Sequence, residues 1–246
     1  MIIDVHVHIG RDKDGSSQTI EKQKALMRRY GIDKSVIFPF DETGDLIVAS
    51  RKILGYAGNS FVPFLRFDPK ATKAEEVGAL LSEGFKGVKL HPRAQNFDPL
   101  NKKYYGIYKE IEDSGKPLLM HTRKTLPFMR ATHIVDPSYS DPDRIVRLAA
   151  DFPDMKLIIA HMAAMSRDAI TEIGKRDNLY LETSIFGTTM SMKMLCKSLG
   201  ADKIIYGSDA PYSDQEIEIL KVKKAEISAS EKRKILSGNA RRVIRI

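Results

Sequence analysis

The sequence predicts an α/β fold, a single-domain (β/α)8 TIM barrel over residues 1–246. Three observations predict it. Eight short apolar, β-branched runs alternate with helical stretches along the chain. Five of the six histidines close one of those runs. The length of 246 residues suits one barrel and its single large core.

The strand candidates are Ile2–His8, Ser35–Phe40, Phe61–Phe67, Gly87–His91, Pro117–Thr122, Lys156–Met162, Leu179–Ser184 and Ile204–Asp209. Runs such as Leu157-Ile158-Ile159-Ala160 have no polar alternation, as parallel strands buried on both faces require. The helices between them have readable ends. Thr72-x-x-Glu75 reads as a capping box, with Val77, Leu80 and Leu81 on one apolar stripe before Gly84. Tyr104, Ile107, Tyr108 and Ile111 recur at helical spacing before Gly115. Asp141-Pro142 reads as N-cap and first helical residue, ahead of Ile145, Leu148 and Ala149. Met190–Leu199 is helical, and Ser228-x-x-Glu231 caps a last helix running to Gly238. This alternation favours a closed barrel over a doubly wound open sheet. The longest connection, Arg123–Ser140, follows the fifth strand and includes His133; its length predicts a lid or substrate loop.

Composition narrows the function classes. Hydrophobic residues make up 42% of the chain and no long uncharged apolar run exists, so no membrane partner is expected. Met1-Ile2-Ile3 meets Asp4 without a basic leader, so no signal peptide is expected either. The single cysteine, Cys196, excludes an internal disulfide and points to the cytoplasm; within a helix it reads as a packing residue rather than a nucleophile. The net charge of +8 admits a nucleic-acid partner, but the basic residues are scattered, and an anionic small-molecule substrate fits better. A homodimer is compatible with the sequence.

In a barrel the C-terminal strand ends share one face, which carries the active site. His6 and His8, at i and i+2 of the first strand, can both face the interior and offer two imidazole nitrogens to one metal, with Asp4 on the same face. The bland alternative, a solvated edge strand, needs an edge that a barrel lacks. His121 and His161 each close an apolar run; singly each reads as a core histidine, and beside the first pair they complete a site. Asp209, at the end of the eighth strand, adjoins the first strand in a closed barrel and can bind metal and accept a proton. Lys89 and His91 share a face of the fourth strand; the lysine is a candidate for carboxylation, for anion binding or for an ordinary ion pair. Arg66 and Arg123 are candidates to clamp an anionic substrate, with Thr183 and Tyr212 as further site candidates.

Asp4-x-His6-x-His8, Gly84 to Pro92, Lys116 to Thr122, Leu157 to Met162, Gly207-Ser208-Asp209-Ala210-Pro211 and Gly238-Asn239-Ala240 together resemble the amidohydrolase superfamily over nearly the whole chain. The resemblance is to the branch that includes the aminocarboxymuconate-semialdehyde decarboxylase-like enzymes. It implies that His6, His8, His121 and Asp209 bind one divalent metal, usually zinc (Zn2+), and that His161 acts as acid/base or substrate polariser. A zinc-bound water would be available as hydroxide near neutral pH, with Asp209 taking its proton. Two departures bear on the reaction. Arg123 and Ala163-Ala164 stand where the family often has glycine, and the chain is shorter than decarboxylases with long insertions. The first implies a different substrate pocket, in which Arg123 can bind a carboxylate; the second makes the expectation hydrolysis of an ester, lactone or amide, with non-oxidative decarboxylation as the alternative. A metal-dependent nuclease is disfavoured because Lys89 and His91 stand where such barrels place a glutamate. A non-enzymatic metal-binding scaffold is the remaining possibility.

Overall fold

The computed structural model describes residues 1–12, 14–40, 44–124 and 136–246. His133 and most of the Arg123–Ser140 connection lie outside the described residues. Strands β1 (Ile3–Arg11), β2 (Lys34–Pro39) and β3 (Phe61–Pro63) pair in parallel. So do β4 (Val88–Leu90), β5 (Leu118–Met120), β6 (Leu157–Ile159), β7 (Leu179–Glu182) and β8 (Ile204–Ile205). Backbone hydrogen bonds join the two arcs at both seams. Leu65 N donates to Gly87 O at 2.8 Å and Lys89 N to Leu65 O at 2.9 Å; Val5 N donates to Tyr206 O at 3.2 Å and His8 N to Ala210 O at 2.8 Å. The sheet thus closes into the predicted barrel, and the open sheet is excluded. A short antiparallel strand, Ser17–Gln18, folds back on the end of β1.

The helices are α1 (Ile20–Tyr30), α2 (Leu46–Leu54), α3 (Ala74–Ser82), α4 (Tyr105–Asp113), α5 (Pro142–Ile145), α6 (Leu148–Asp151), α7 (Arg167–Lys175), α8 (Thr189–Leu199), α9 (Gln215–Lys223), α10 (Ala229–Arg233) and α11 (Asn239–Ile244). None of the described helices is long and apolar enough to cross a membrane. Two apolar layers hold the fold. Ile3, Val5, Phe38, Phe64, Leu119, Ile158 and Ile205 fill the barrel, and Val243 and Ile244 of α11 close its base. Val7, Ile37, Leu65, Val88, Leu118 and Leu157 face outward against the helices. Both strand faces are therefore buried, which is why the runs carry no polar alternation. Gly87 permits the tight inner packing: a Cβ there would lie 2.4 Å from the Phe64 ring.

The structure corrects three local expectations. The capping box at Thr72 does not form; α3 begins one residue later, after Lys73, which makes no side-chain cap. The last helix does not stop at Gly238, which has helical φ −58°, and the chain continues into α11. The sixth strand ends at Ile159 rather than Met162, because the backbone turns left-handed from His161 onward.

The most consequential departure lies within β1. Ile3 and Val5 point into the barrel, whereas Val7 and Ile9 point outward. Strict alternation would turn His6 and His8 toward the helices. A register shift between Asp4 and Val7 reverses the parity. Such a bulge re-aims side chains, and here it directs both histidines inward. Asp4 is left on the other face, against expectation. It accepts hydrogen bonds from Ser208 Oγ at 2.7 Å and from Gln215 Nε2 of α9 at 2.7 Å.

Candidate metal centre

The centre lies at the C-terminal strand ends. His6 and His8 arrive from β1 and Asp209 from the segment after β8. Asp209 Oδ1 stands 2.9 Å from His6 Nε2 and 3.1 Å from His8 Nε2. Ligand atoms of these three residues lie within 4.8 Å of one another. Asp209 has φ +62°, a left-handed conformation unusual for a residue with a side chain, and such strain persists where surrounding contacts impose it.

Behind His6 stands Glu182, at the end of β7. Its Oε2 lies 3.2 Å from His6 Nδ1 and accepts the backbone N–H of His161 at 3.0 Å; Ser184 N and Oγ donate to its two oxygens at 2.7 and 2.8 Å. The sequence points to neighbouring Thr183 and not to Glu182. Thr183 Oγ1 instead accepts from Gly207 N at 3.3 Å, joining the seventh and eighth strands. The available signal was parity: Tyr180 faces inward, so Glu182 does too. Gly207 leaves the room it needs, since a Cβ there would lie 2.3 Å from Glu182 Oε1.

The other histidines form a continuous chain. His161 Nε2 is 2.9 Å from His121 Nδ1, and the His121 ring stacks on His91 with centroids 3.5 Å apart. His161 Nδ1 lies 2.7 Å from Ser184 Oγ. His121 thus stands beside His161 rather than within the tight group of His6, His8 and Asp209. A second close group comprises His6, His161 and Glu182.

Electrostatics favour cation binding. Burial pushes His8 down to about 3 and His161 to about 4, and holds His91 and His121 well below the ordinary histidine range. Neutral imidazoles with free lone pairs are what a metal requires. His6 differs. Burial and the Lys89 ammonium act to lower its pKa, yet Asp209 and Glu182 together raise it. Burial acts to raise both acids, and the histidines around them overcome it, bringing Glu182 to about 2 and Asp209 well below the carboxylate range.

His6 therefore sits between two carboxylates. To satisfy both, its ring must carry a proton on each nitrogen, or a cation must stand at Nε2 while Nδ1–H donates to Glu182; the Lys89 ammonium, 3.0 Å from that Nε2, holds this place in the structure, where a metal would otherwise stand. A carboxylate behind a ligating histidine fixes that tautomer in metal sites. His8 Nε2 also points at Asp209, and the mixed nitrogen and oxygen set suits a divalent transition metal. The residues present fit such an ion.

Above the centre opens a cleft of about 380 Å³. His8, His91, His121 and Asp209 face it; Phe40, Ile185 and Tyr212 form apolar walls; Arg123 lines it as well. His8 stacks on Phe40 with centroids 4.9 Å apart, and Tyr212 meets Phe40 edge-on at 5.7 Å. Arg66 and Lys89 are wholly buried and do not line the cleft. Arg66 Nη1 donates to Pro39 O at 2.8 Å, and Lys89 Nζ lies 3.0 Å from His6 Nε2. Cys196 is buried in α8 with its thiol pushed up to about 11 by burial, in keeping with a packing role.

A family model described as amidohydrolase matches residues 3–246. No curated protein sequence matches the chain. Among solved structures, 5-carboxyvanillate decarboxylase from Sphingomonas paucimobilis is similar with a TM-score of 0.78 at 16% identity, covering 100% of this chain and 99% of that one. The 2,6-dihydroxybenzoate decarboxylase from Rhizobium gives 0.75 at 17%, covering 99% and 98%. A dihydroxybenzoic acid decarboxylase from Polaromonas, solved with manganese and the inhibitor 2-nitroresorcinol, gives 0.76 at 17%, covering 99% and 96%. These neighbours correct the expected reaction. Hydrolysis was favoured because the chain looked too short for a decarboxylase, yet these decarboxylases are matched over almost their whole length. The metal in the Polaromonas structure is manganese, so the neighbours lend no particular weight to zinc. From the match over residues 3–246, together with the barrel and the histidine–aspartate centre at its mouth, the chain belongs to the amidohydrolase family.

Proposed function

We propose that this protein is a divalent-metal-dependent, non-oxidative decarboxylase of a small ring-bearing carboxylic acid. The observation that carries this reading is the cleft. An ionised Asp209 and neutral histidines form its floor, Phe40 and Tyr212 offer flat apolar walls, and about 380 Å³ admits a single-ring acid. The 5-carboxyvanillate and dihydroxybenzoate decarboxylases of similar structure act on acids of that kind.

In this reading His6, His8 and Asp209 would hold the metal, with His121, which stands outside that close group beside His161, as the outlying fourth donor. When bound, it supplies positive charge for the substrate's anionic oxygens and for the negative charge that develops as carbon dioxide leaves. Arg123 and His91 meet the substrate in the cleft. Lys89 and Arg66 act from behind: after burial, their charges help hold His91 neutral. The carbon–carbon bond breaks, its electron pair stays on the ring carbon, and a proton must arrive there. Asp209 is ionised and so has a site for a proton drawn from a substrate hydroxyl or from solvent; its low pKa makes it a weak base but, once protonated, a strong acid that delivers the proton to that carbon. His161, aligned by Ser184, is buried and does not line the cleft; it acts through its partner His121, which does, and so orients the imidazole that meets the substrate. A nitrogen-rich donor set suits zinc as well as manganese, so both metals belong in the test.

The test incubates protein loaded with manganese or with zinc with a panel of hydroxylated benzoic acids, lactones and esters. Release of carbon dioxide is measured alongside the ring product. The expected result is equimolar carbon dioxide and decarboxylated ring from at least one acid. Turnover should fall about 10²–10⁴-fold in His161→Ala. Turnover of lactones or esters with no carbon dioxide from any acid would overturn the proposal.

A further inference from the structure

Ile185 lines the cleft beside Asp209 and Tyr212, and its backbone is unusual. Its φ is +63°, although isoleucine is β-branched and that region strongly disfavours such residues. Phe186 N donates to Ser184 O at 2.7 Å, an i to i+2 bond that makes Ile185 the centre of a positive-φ γ-turn, a rare and strained form. A strained turn lasts only where its surroundings dictate it.

Two buried charges on α9 do so. Glu218 Oε1 accepts the backbone N–H of Ile185 at 3.1 Å and the hydroxyl of Ser213 at 2.8 Å. Lys221 Nζ donates to Thr183 O at 2.5 Å and to Phe186 O at 3.0 Å. The two side chains pair at 2.5 Å with almost no exposure. Removing two charges from water is costly. What they accomplish is local: three backbone groups in the four residues Thr183–Phe186 are gripped, together with Ser213 next to the cleft residue Tyr212. Ser184, the first residue of the turn, is anchored separately by Glu182 at 2.7 and 2.8 Å.

We propose that Glu218 and Lys221 are positioning residues that clamp the Ser184–Phe186 turn so that Ile185 walls the cleft, and thereby set which ring acids fit. The proposal rests on the reading of the cleft as the substrate site. Because Ser184 keeps its own anchor, releasing the clamp moves the wall and leaves His161 in place. The clamp thus governs substrate binding and ring-size selection rather than the chemical step.

The test compares the unaltered protein with Glu218→Gln, which keeps an acceptor for the Ile185 N–H, and with the double variant Glu218→Leu/Lys221→Met, which removes both charges together and leaves neither buried alone. Amide hydrogen exchange across 183–187 reads the clamp without reference to activity. The double variant should exchange there at least about tenfold faster than the unaltered protein, and Glu218→Gln, whose amide NH2 would face the buried Lys221 ammonium, should also exchange faster than the unaltered protein. For the ring acid that is turned over, KM should rise about tenfold with kcat little changed, and bulkier ring acids should gain relative to it. Unchanged exchange, or faster exchange with unchanged KM and ring preference, would overturn the proposal. Absence of turnover in the unaltered protein would count against the cleft reading instead, and the exchange result would still decide the clamp.

Discussion

Glu182 accepts four hydrogen bonds from three residues and is fully buried. Burial acts to raise its pKa, but those donors hold it at about 2, so it stays anionic at every physiological pH. That fixed charge keeps the proton of His6 on Nδ1 and leaves Nε2 for a metal. Glu182→Gln retains size but loses the charge and must present an N–H somewhere in the cluster. We expect it to weaken manganese affinity by about ten- to a hundredfold, measured by titration of the metal-free protein. Unchanged affinity would mean that the carboxylate does not orient His6. Much of the site at this scale was readable from the sequence. His6, His8, His121, His161 and Asp209 each interrupt or end an apolar run, where histidine has no packing reason to gather. Glu182 was not, because Glu182-Thr183-Ser184 looks like an ordinary polar exit from a strand. Its importance depends on Gly207, far along the chain, whose missing side chain makes room for it.

Two elements carry backbone geometry that a sequence does not announce. The bulge in β1 reverses which residues face inward, so the pairing of His6 with His8 was readable while the face occupied by Asp4 was not. The turn after β6 is the second. His161, Met162, Ala163, Ala164 and Met165 all have φ between +47° and +57°, a left-handed turn without a single glycine. Each such residue costs roughly 1–2 kcal/mol. The turn is held in part by His161 N on Glu182 and by the burial of Met162 and Ala163. Ala164 is only partly buried, so Ala164→Gly relieves strain while sacrificing little packing. We expect that variant to be more stable by about 1 kcal/mol in urea denaturation, whereas an alanine-to-glycine change in an ordinary helix destabilises by a similar amount. A loss of stability would show that the left-handed turn is not under strain. The regular elements were easier to read because period alone defines them. All eight strands lie within or near their predicted runs, and Ser228 with Glu231 forms its capping box. The expected box at Thr72 failed because its backbone N–H is taken by Asp68 O at 3.0 Å in a turn that precedes the helix.

Across the whole molecule, closure of the barrel turns sequence distance into chemistry. His8 and Asp209 are 201 positions apart, yet they meet at 3.1 Å because the first and eighth strands are hydrogen-bonded neighbours. Unfolding separates them, so a metal that binds only the closed barrel stabilises it by about 2.7 kcal/mol at a hundredfold excess over its Kd. Closure also explains why the reaction was harder to read than the fold. Chain length pointed toward hydrolysis, whereas the shape of the cleft depends on Phe40, Ile185 and Tyr212, which come from separate loops and have no common motif. The claim on which the account depends is that His6, His8 and Asp209 gather around one cation. Its most direct test is elemental analysis of the purified protein and of His6→Ala and Asp209→Ala after equilibration with manganese or zinc and removal of free metal. The account predicts about one ion per chain in the unaltered protein and a sharp loss in both variants; full occupancy in both would contradict it.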